Sequence, residues 1–155
     1  MRLICDAMLG RLARWLRAAG YDAAWEDGID DEDLVARARA EGRVLVTSDG
    51  PLMAHRAIRD GTVRAVFVPR NLDLPGRLRH VLQRLDLPRA TPRCMACGAA
   101  LAAVEKADVA GEPPPRVYAA FDDFRRCTGC GRLYWPGTHW QRIRRILDES
   151  LGNRK

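Results

Sequence analysis

Two groups of residues in this sequence have the types and spacing to do chemistry. Cys94 and Cys97 bracket two residues, and Cys127 and Cys130 repeat that spacing, with 29 residues between the pairs. A CxxC turn brings two thiolates onto one ion. Gly98 and Gly131, directly after each pair, permit the backbone conformation that turns amides toward sulfur. Two such knuckles give tetrahedral sulfur ligation, which favours Zn²⁺. With all four positions filled by sulfur, the expected role is folding rather than catalysis. Two disulfides or a redox CxxC are the competing readings. A reducing compartment disfavours the first, and a redox pair normally stands alone at a helix start rather than in duplicate. The fifth cysteine, Cys5, lies in an apolar run and reads as a small buried hydrophobe.

The second group is acidic. Asp6 closes the apolar run Leu3, Ile4 and Cys5, and Asp49 ends the stretch from Arg43, rich in the β-branched residues Val44, Val46 and Thr47. Both are expected at the C-terminal ends of parallel strands, the edge where open α/β sheets bind ligands. Asp31 opens the helix between them and can reach the same edge. Carboxylates meeting there repel one another unless a divalent cation neutralises them, and the hard, oxygen-seeking Mg²⁺ or Mn²⁺ suits such a site. Each acid also has a purely structural reading: Asp31 and Asp49 as helix caps, Asp6 as a turn residue. Thr47 and Ser48 are candidates to support Asp49 or to contact phosphate. Asp30, Asp33 and Asp73 are weaker acidic candidates. His55, His80 and His139 are scattered, show no metal-ligand spacing, and read as structural or surface residues.

The elements that must hold these residues alternate. Residues 2–6 read as a buried strand. Residues 8–19 form a helix with Leu9, Leu12, Ala13, Leu16 and Ala19 on its apolar side and Arg11, Arg14 and Arg17 opposite, closed by Gly20. Residues 21–25 read as a second strand, and a helix from the acid-rich turn runs to Gly42. Residues 43–49 are a strand, Pro51 opens a third helix, residues 64–68 are a strand stopped by Pro69, and residues 75–85 are a fourth helix. Such alternation implies a parallel sheet with right-handed crossovers. Residues 86–93 carry two prolines and no periodicity, and read as a linker. Residues 111–115 form a stiff loop between the cysteine pairs. Residues 138–151 are the last helix, with Trp140, Ile143, Ile146 and Leu147 as its apolar side. The expected division is residues 1–88 and residues 89–155.

The formal net charge is +6, and 24 of the 26 basic residues are arginine. Arginine forks phosphate and stacks on bases, so this balance suits nucleic acid, although a GC-rich genome yields the same bias. Residues 1–92 carry 15 basic against 13 acidic groups and residues 93–155 carry 11 against 7, so the excess leans toward the C-terminal part. No apolar run approaches the roughly 18 residues of a membrane span. An acid at position 6 leaves no room for a signal-peptide core before it, so a cytoplasmic location is expected.

Leu3 to Arg17 followed by Gly20, Tyr21 and Asp22 resembles the opening of the Mut7-C RNase domain family. Asp31 to Leu34 and Gly42 to Asp49 resemble its middle. Cys94 and Cys97, with the stretch from Cys127 to Trp140, resemble its ending and are the most specific part. Ser48 and Gly98 stand where the family often has Arg and Asn, and neither departure removes a ligand. The resemblance implies a PIN-like α/β domain with helices on both faces of a parallel sheet, fused to a zinc ribbon and terminal helix. It further implies metal-dependent ribonuclease activity, with Asp6, Asp31 and Asp49 as the acidic positions holding Mg²⁺ or Mn²⁺. Arg11, Arg14 and the arginines of the ribbon would position the RNA, while Tyr134, Trp135 and Trp140 read as ribbon core. The alternative is a non-catalytic RNA- or ribosome-binding protein, with tRNA as another possible partner. A phosphatase reading fails because Met8 stands where such enzymes need a second acid.

Overall fold

The computed structural model describes residues 1–152; residues 153–155 of the expected C-terminal segment lie outside the described residues. Strands β1 (Arg2–Cys5), β2 (Asp22–Ala24), β3 (Val44–Thr47) and β4 (Ala65–Phe67) form one sheet in the order β2-β1-β3-β4, with every pair parallel. The chain leaves β1 toward β2 on one side and returns across it to β3 on the other. The boundary between β1 and β3 is therefore the point where the winding reverses, the place where open α/β sheets bind ligands at the carboxyl ends of the strands.

The strands are apolar on both faces because both faces are covered. Leu3, Cys5, Val44 and Val46 point into one core with helices α1 (Gly10–Ala18), α5 (Leu74–Arg84) and α7 (Thr138–Gly152). Ile4 and Leu45, one residue out of phase, point into the other with α2 (Asp31–Glu41), α3 (Gly50–Met53) and α4 (Arg56–Arg59). This is the expected α/β architecture. The terminal helix completes the first core: Ile143, Ile146 and Leu147 are buried in it.

Local chemistry sets the ends. The Asp30 carboxylate caps α2 by accepting from the Asp33 amide, and Gly42 closes that helix at φ 61°. The first helix starts later than residues 8–19 suggest, because Ala7–Leu9 form a 3₁₀ turn. The helix expected at Pro51 is two short pieces, α3 and α4, divided at His55, whose Nδ1 accepts from the Ala57 amide.

Residues 86–93 are ordered by packing rather than free. Tyr21 donates its hydroxyl to the Pro88 carbonyl, and the Arg93 amide donates to the Arg17 carbonyl at 2.9 Å. Gly20, at φ 102°, lies so close to Ala90 and Thr91 that a Cβ would sit 2.6 Å from them. Beyond this connection, β5 (Leu101–Val104), β6 (Phe124–Cys127) and β7 (Leu133–Tyr134) form a small antiparallel sheet, with α6 (Pro115–Ala120) between β5 and β6. Among the described residues, no helix is long and apolar enough to cross a membrane.

Candidate functional site

The carboxyl edge of the large sheet carries the acids. Asp6 follows β1, and its amide donates to the Val46 carbonyl on β3 at 2.9 Å, extending the ladder by one rung. Its side chain is only 5 % exposed, and Oδ2 accepts the Thr47 hydroxyl at 2.6 Å. The Thr47 oxygen in turn accepts the Asp49 amide at 2.9 Å. One hydroxyl at the end of β3 therefore ties together the two acids that close neighbouring strands.

Asp31 occupies the first position of α2. Its carboxyl is held above the ordinary range, first by loss of water and then by the negative charges of Asp49 and Asp6. Asp31 therefore lies near enough to Asp49 and Asp6 to feel their charge. None of them serves as a side-chain cap: Asp6 and Asp49 precede helices without such a bond, and at α2 the cap is Asp30. Among the described residues none of the three forms an ion pair with arginine or lysine, so their charge is not cancelled by the protein itself. Oxygen donors of like charge with no internal cation suit a hard divalent ion.

The remaining candidates have partners of their own or stay exposed. Ser48 is 2 % exposed and spends its hydroxyl on the Val68 carbonyl at 2.7 Å, so it fixes the exit of β4 and is closed to phosphate. Thr47 is wholly buried, so its part is to hold Asp6 and Asp49 rather than to touch substrate. Asp73 caps α5 through the Gly76 amide, while Asp33 stays exposed. His80 bonds the Phe67 carbonyl at 2.9 Å, and His139 meets Trp15 edge-on. Arg70 escaped the sequence reading. It sits just past β4 and donates to the Ser48 carbonyl at 3.0 Å, next to Asp49, with its position after Pro69 the one available signal.

The cysteines form the second centre. The sulfurs of Cys94, Cys97, Cys127 and Cys130 all lie within 4.8 Å of one another, the one such gathering of His, Cys, Asp or Glu among the described residues. The aspartates, though coupled, are not drawn together to that degree. Four sulfurs about 2.3 Å from a common centre stand about 3.8 Å apart; the Cys94–Cys130 and Cys97–Cys127 separations are 3.6 and 3.3 Å. Gly98 and Gly131 take φ 83° and 76°, and their amides close the knuckles onto the Cys94 and Cys127 carbonyls.

The surroundings favour thiolate. Burial opposes ionisation of Cys94, but the Tyr134 hydroxyl at 3.0 Å and the amides of Cys97 and Ala96 overcome it and bring its pKa down to about 6. Cys97, despite the Ala99 amide, is pushed up to about 11 by burial and by its sulfur neighbours. Four thiols in which the later charges are resisted by the earlier ones fit a shared cation. Cys5 stands apart, in the core, where burial raises it to about 12.

Arg17 ties the large sheet to the first cysteine knuckle. The helical pattern assigned it to the exposed side of α1, yet it is 7 % exposed. Its Nε donates to the Ala23 carbonyl at 2.7 Å, and its Nη1 to the carbonyls of Met95 and Ala96 at 3.1 and 2.9 Å. Arg11 and Arg14 are exposed as expected.

The fold is a parallel α/β sheet with helices on both faces, joined to a module with four clustered cysteines. The chain belongs to the Mut7-C RNAse domain family, whose model matches residues 1–147. It is also similar to the human protein described as "Exonuclease mut-7 homolog", with 36 % identity over 102 residues, 62 % of this chain. The match spans 11 % of that relative's length. No solved structure matches.

Proposed function

We propose that this chain is a metal-dependent ribonuclease whose working edge is formed by Asp6, Asp31 and Asp49. The single observation that carries this reading is the Thr47 hydroxyl, which holds Asp6 and the Asp49 backbone together across the β1–β3 boundary, within the field felt by Asp31. When bound there, Mg²⁺ or Mn²⁺ would lower the pKa of a water molecule and polarise the phosphodiester. The three carboxylates hold the site in place. Asp6 is fixed by Thr47, while Asp49, half-exposed, and Asp31, exposed, face incoming phosphate. Arg70 beside Asp49, and Arg11 on α1, supply N–H groups for phosphate oxygens.

In the same proposal, residues 1–88 form the PIN-like catalytic unit. Residues 89–155 form a zinc ribbon and terminal helix, with one structural Zn²⁺ on the four cysteines. Free thiols on all five cysteines suit a reducing, cytoplasmic setting.

The test is cleavage of labelled RNA with Mn²⁺ by the zinc-loaded chain and by its Asp6→Asn and Asp49→Asn forms. Cleavage by the wild type and a loss of at least about a hundredfold in both variants is expected, since removing electrostatic stabilisation at a reacting centre typically costs that much. RNA binding without cleavage by any form would favour the non-catalytic binding module.

A further inference from the structure

A cleft of about 1020 Å³ lies between α1, the connection at residues 89–93, the β6–β7 side of the ribbon and the start of α7. It plays no part in the acidic edge. Its lining is strongly basic. Arg14, Arg132 and Arg144 reach it, all exposed, and none makes a side-chain hydrogen bond or ion pair among the described residues. Arg89, Arg93 and Arg125 line it too. The two acids in the wall are already paired: Asp148 with Arg89, and Asp123 with Arg125 at 3.3 Å. Six arginines against two aspartates leave four uncompensated positive charges in a concave place.

The same wall is aromatic. Trp135 and Trp140 are half-buried and line the cleft, and neither indole N–H is bonded to another described residue. Elsewhere Trp25 does satisfy its indole, on the Ala7 carbonyl at 2.9 Å. Trp140 packs in part against the first core and Trp135 meets the Phe124 ring at a tilt, so each offers only its exposed part to the cleft. Positive charge beside partly exposed rings is the combination that holds single strands: guanidinium groups take the phosphates and rings take the bases without demanding a sequence.

Position links the cleft to the acidic edge. Helix α1 begins at Gly10, one 3₁₀ turn after Asp6, and ends at Ala18, which lines the cleft. Its nine residues span about 14 Å. Arg11 and Arg14, three apart and both exposed, lie along one side of it.

We infer that this cleft binds single-stranded RNA, with Arg14, Arg132 and Arg144 on its phosphates and Trp135 and Trp140 against its bases, and that α1 leads the strand to the acidic edge. The inference rests on the reading of this chain as acting on RNA. It gives the ribbon a second role beyond folding: one wall of a substrate track.

The test uses the full zinc-loaded chain carrying Asp6→Asn, so that bound RNA is not consumed, and reads the fluorescence anisotropy of a short labelled single-stranded RNA. Arg132→Glu with Arg144→Glu should weaken binding at least about tenfold and lower the salt slope by about 1.4, the value for two lost phosphate contacts on a single strand. Trp140→Ala should cost about tenfold without changing that slope, and Trp140→Phe should restore most of it. The melting temperature of each variant separates binding from folding. The arginine pair is exposed and serves as the decisive variant if Trp140→Ala melts early. Unchanged affinity in the folded arginine variant overturns the inference. So does tighter binding of polyglutamate than of RNA, which would mark the cleft as a protein-docking surface. Cleft-dependent binding by a chain that never cleaves RNA sinks the nuclease reading alone; cleavage with cleft-independent binding sinks this inference alone.

Discussion

Thr47 donates its hydroxyl to Asp6 at 2.6 Å across the boundary between β3 and β1. Because the same oxygen accepts the Asp49 amide, a single buried residue holds the carboxylate of Asp6 and the backbone of Asp49, 43 residues apart in the chain. Thr47→Val keeps the shape and removes the hydroxyl, leaving a buried carboxylate and an amide without their partner. The expected loss of stability is about 1–3 kcal/mol. Thr47 is a positioning residue, so more than stability should move: the Mn²⁺ concentration that half-activates cleavage should rise in Thr47→Val and return toward normal in Thr47→Ser. Stability loss with an unchanged Mn²⁺ dependence would assign Thr47 to folding alone.

The cysteine cluster predicts a thiol count. As isolated, the chain should carry one Zn²⁺. A strong chelator should make four thiols reactive toward a colorimetric disulfide reagent, while Cys5, fully buried and raised to about 12, should react only on unfolding. Hydrogen exchange should show β5, β6 and β7 losing protection when the ion is removed, because three short strands with a half-exposed surface have little other support. Five reactive thiols in the folded, metal-loaded chain would contradict both assignments.

Arg17 predicts a mechanical coupling. Arg17→Met retains much of the apolar stem and leaves three carbonyls, those of Ala23, Met95 and Ala96, without their donor. A cost on the order of 3 kcal/mol is expected from hydrogen bonds to a charged donor. The amides around Cys94 and Cys97 should exchange faster than in the wild type. A variant as stable as the parent with unchanged exchange there would remove Arg17 from its role as a strut.

The opposite edge of the large sheet sets the acid limit. Arg37 first, and then Arg43, hydrogen-bonds the Glu41 carboxylate and holds its pKa down at about 2. A carboxylate depressed in the folded state contributes stability above its unfolded value, near 4.3, and loses that contribution as pH falls toward 2. Glu41→Gln should therefore lower the melting temperature at pH 7 and flatten its fall between about pH 4.5 and pH 2. Parallel melting curves for both proteins through that window would disprove the linkage. Protonation of the cysteine cluster affects both proteins alike and cancels in the comparison.

What the sequence conveyed followed from periodicity and strand ends. The runs Leu3 to Cys5 and Val44 to Val46 are apolar at every position, which marks strands covered on both faces, and an acid soon after each run pointed to Asp6 and Asp49 at one edge. The CxxC pairs with their glycines conveyed the cluster. The pattern was silent where tertiary contact overrides it. Arg17 falls on the polar side of α1 by spacing, but carbonyls from the first knuckle and from Ala23 draw it inward. Ser48 and Thr47 are adjacent hydroxyls, and only the alternation of β3 decides which one meets Asp6. The strands β5, β6 and β7 carry little hydrophobic alternation because the cysteine turns fix their register. The cleft was not legible at all, since its walls come from four separated segments.

The central claim is that a divalent cation sits at the acidic edge. Crystals of the zinc-loaded chain soaked in Mn²⁺, with anomalous scattering recorded near the manganese edge, test it most directly. The account predicts a peak bounded by Asp6, Asp31 and Asp49 that disappears in Asp49→Asn crystals. No peak there at saturating Mn²⁺, or one that persists unchanged in that variant, would contradict it.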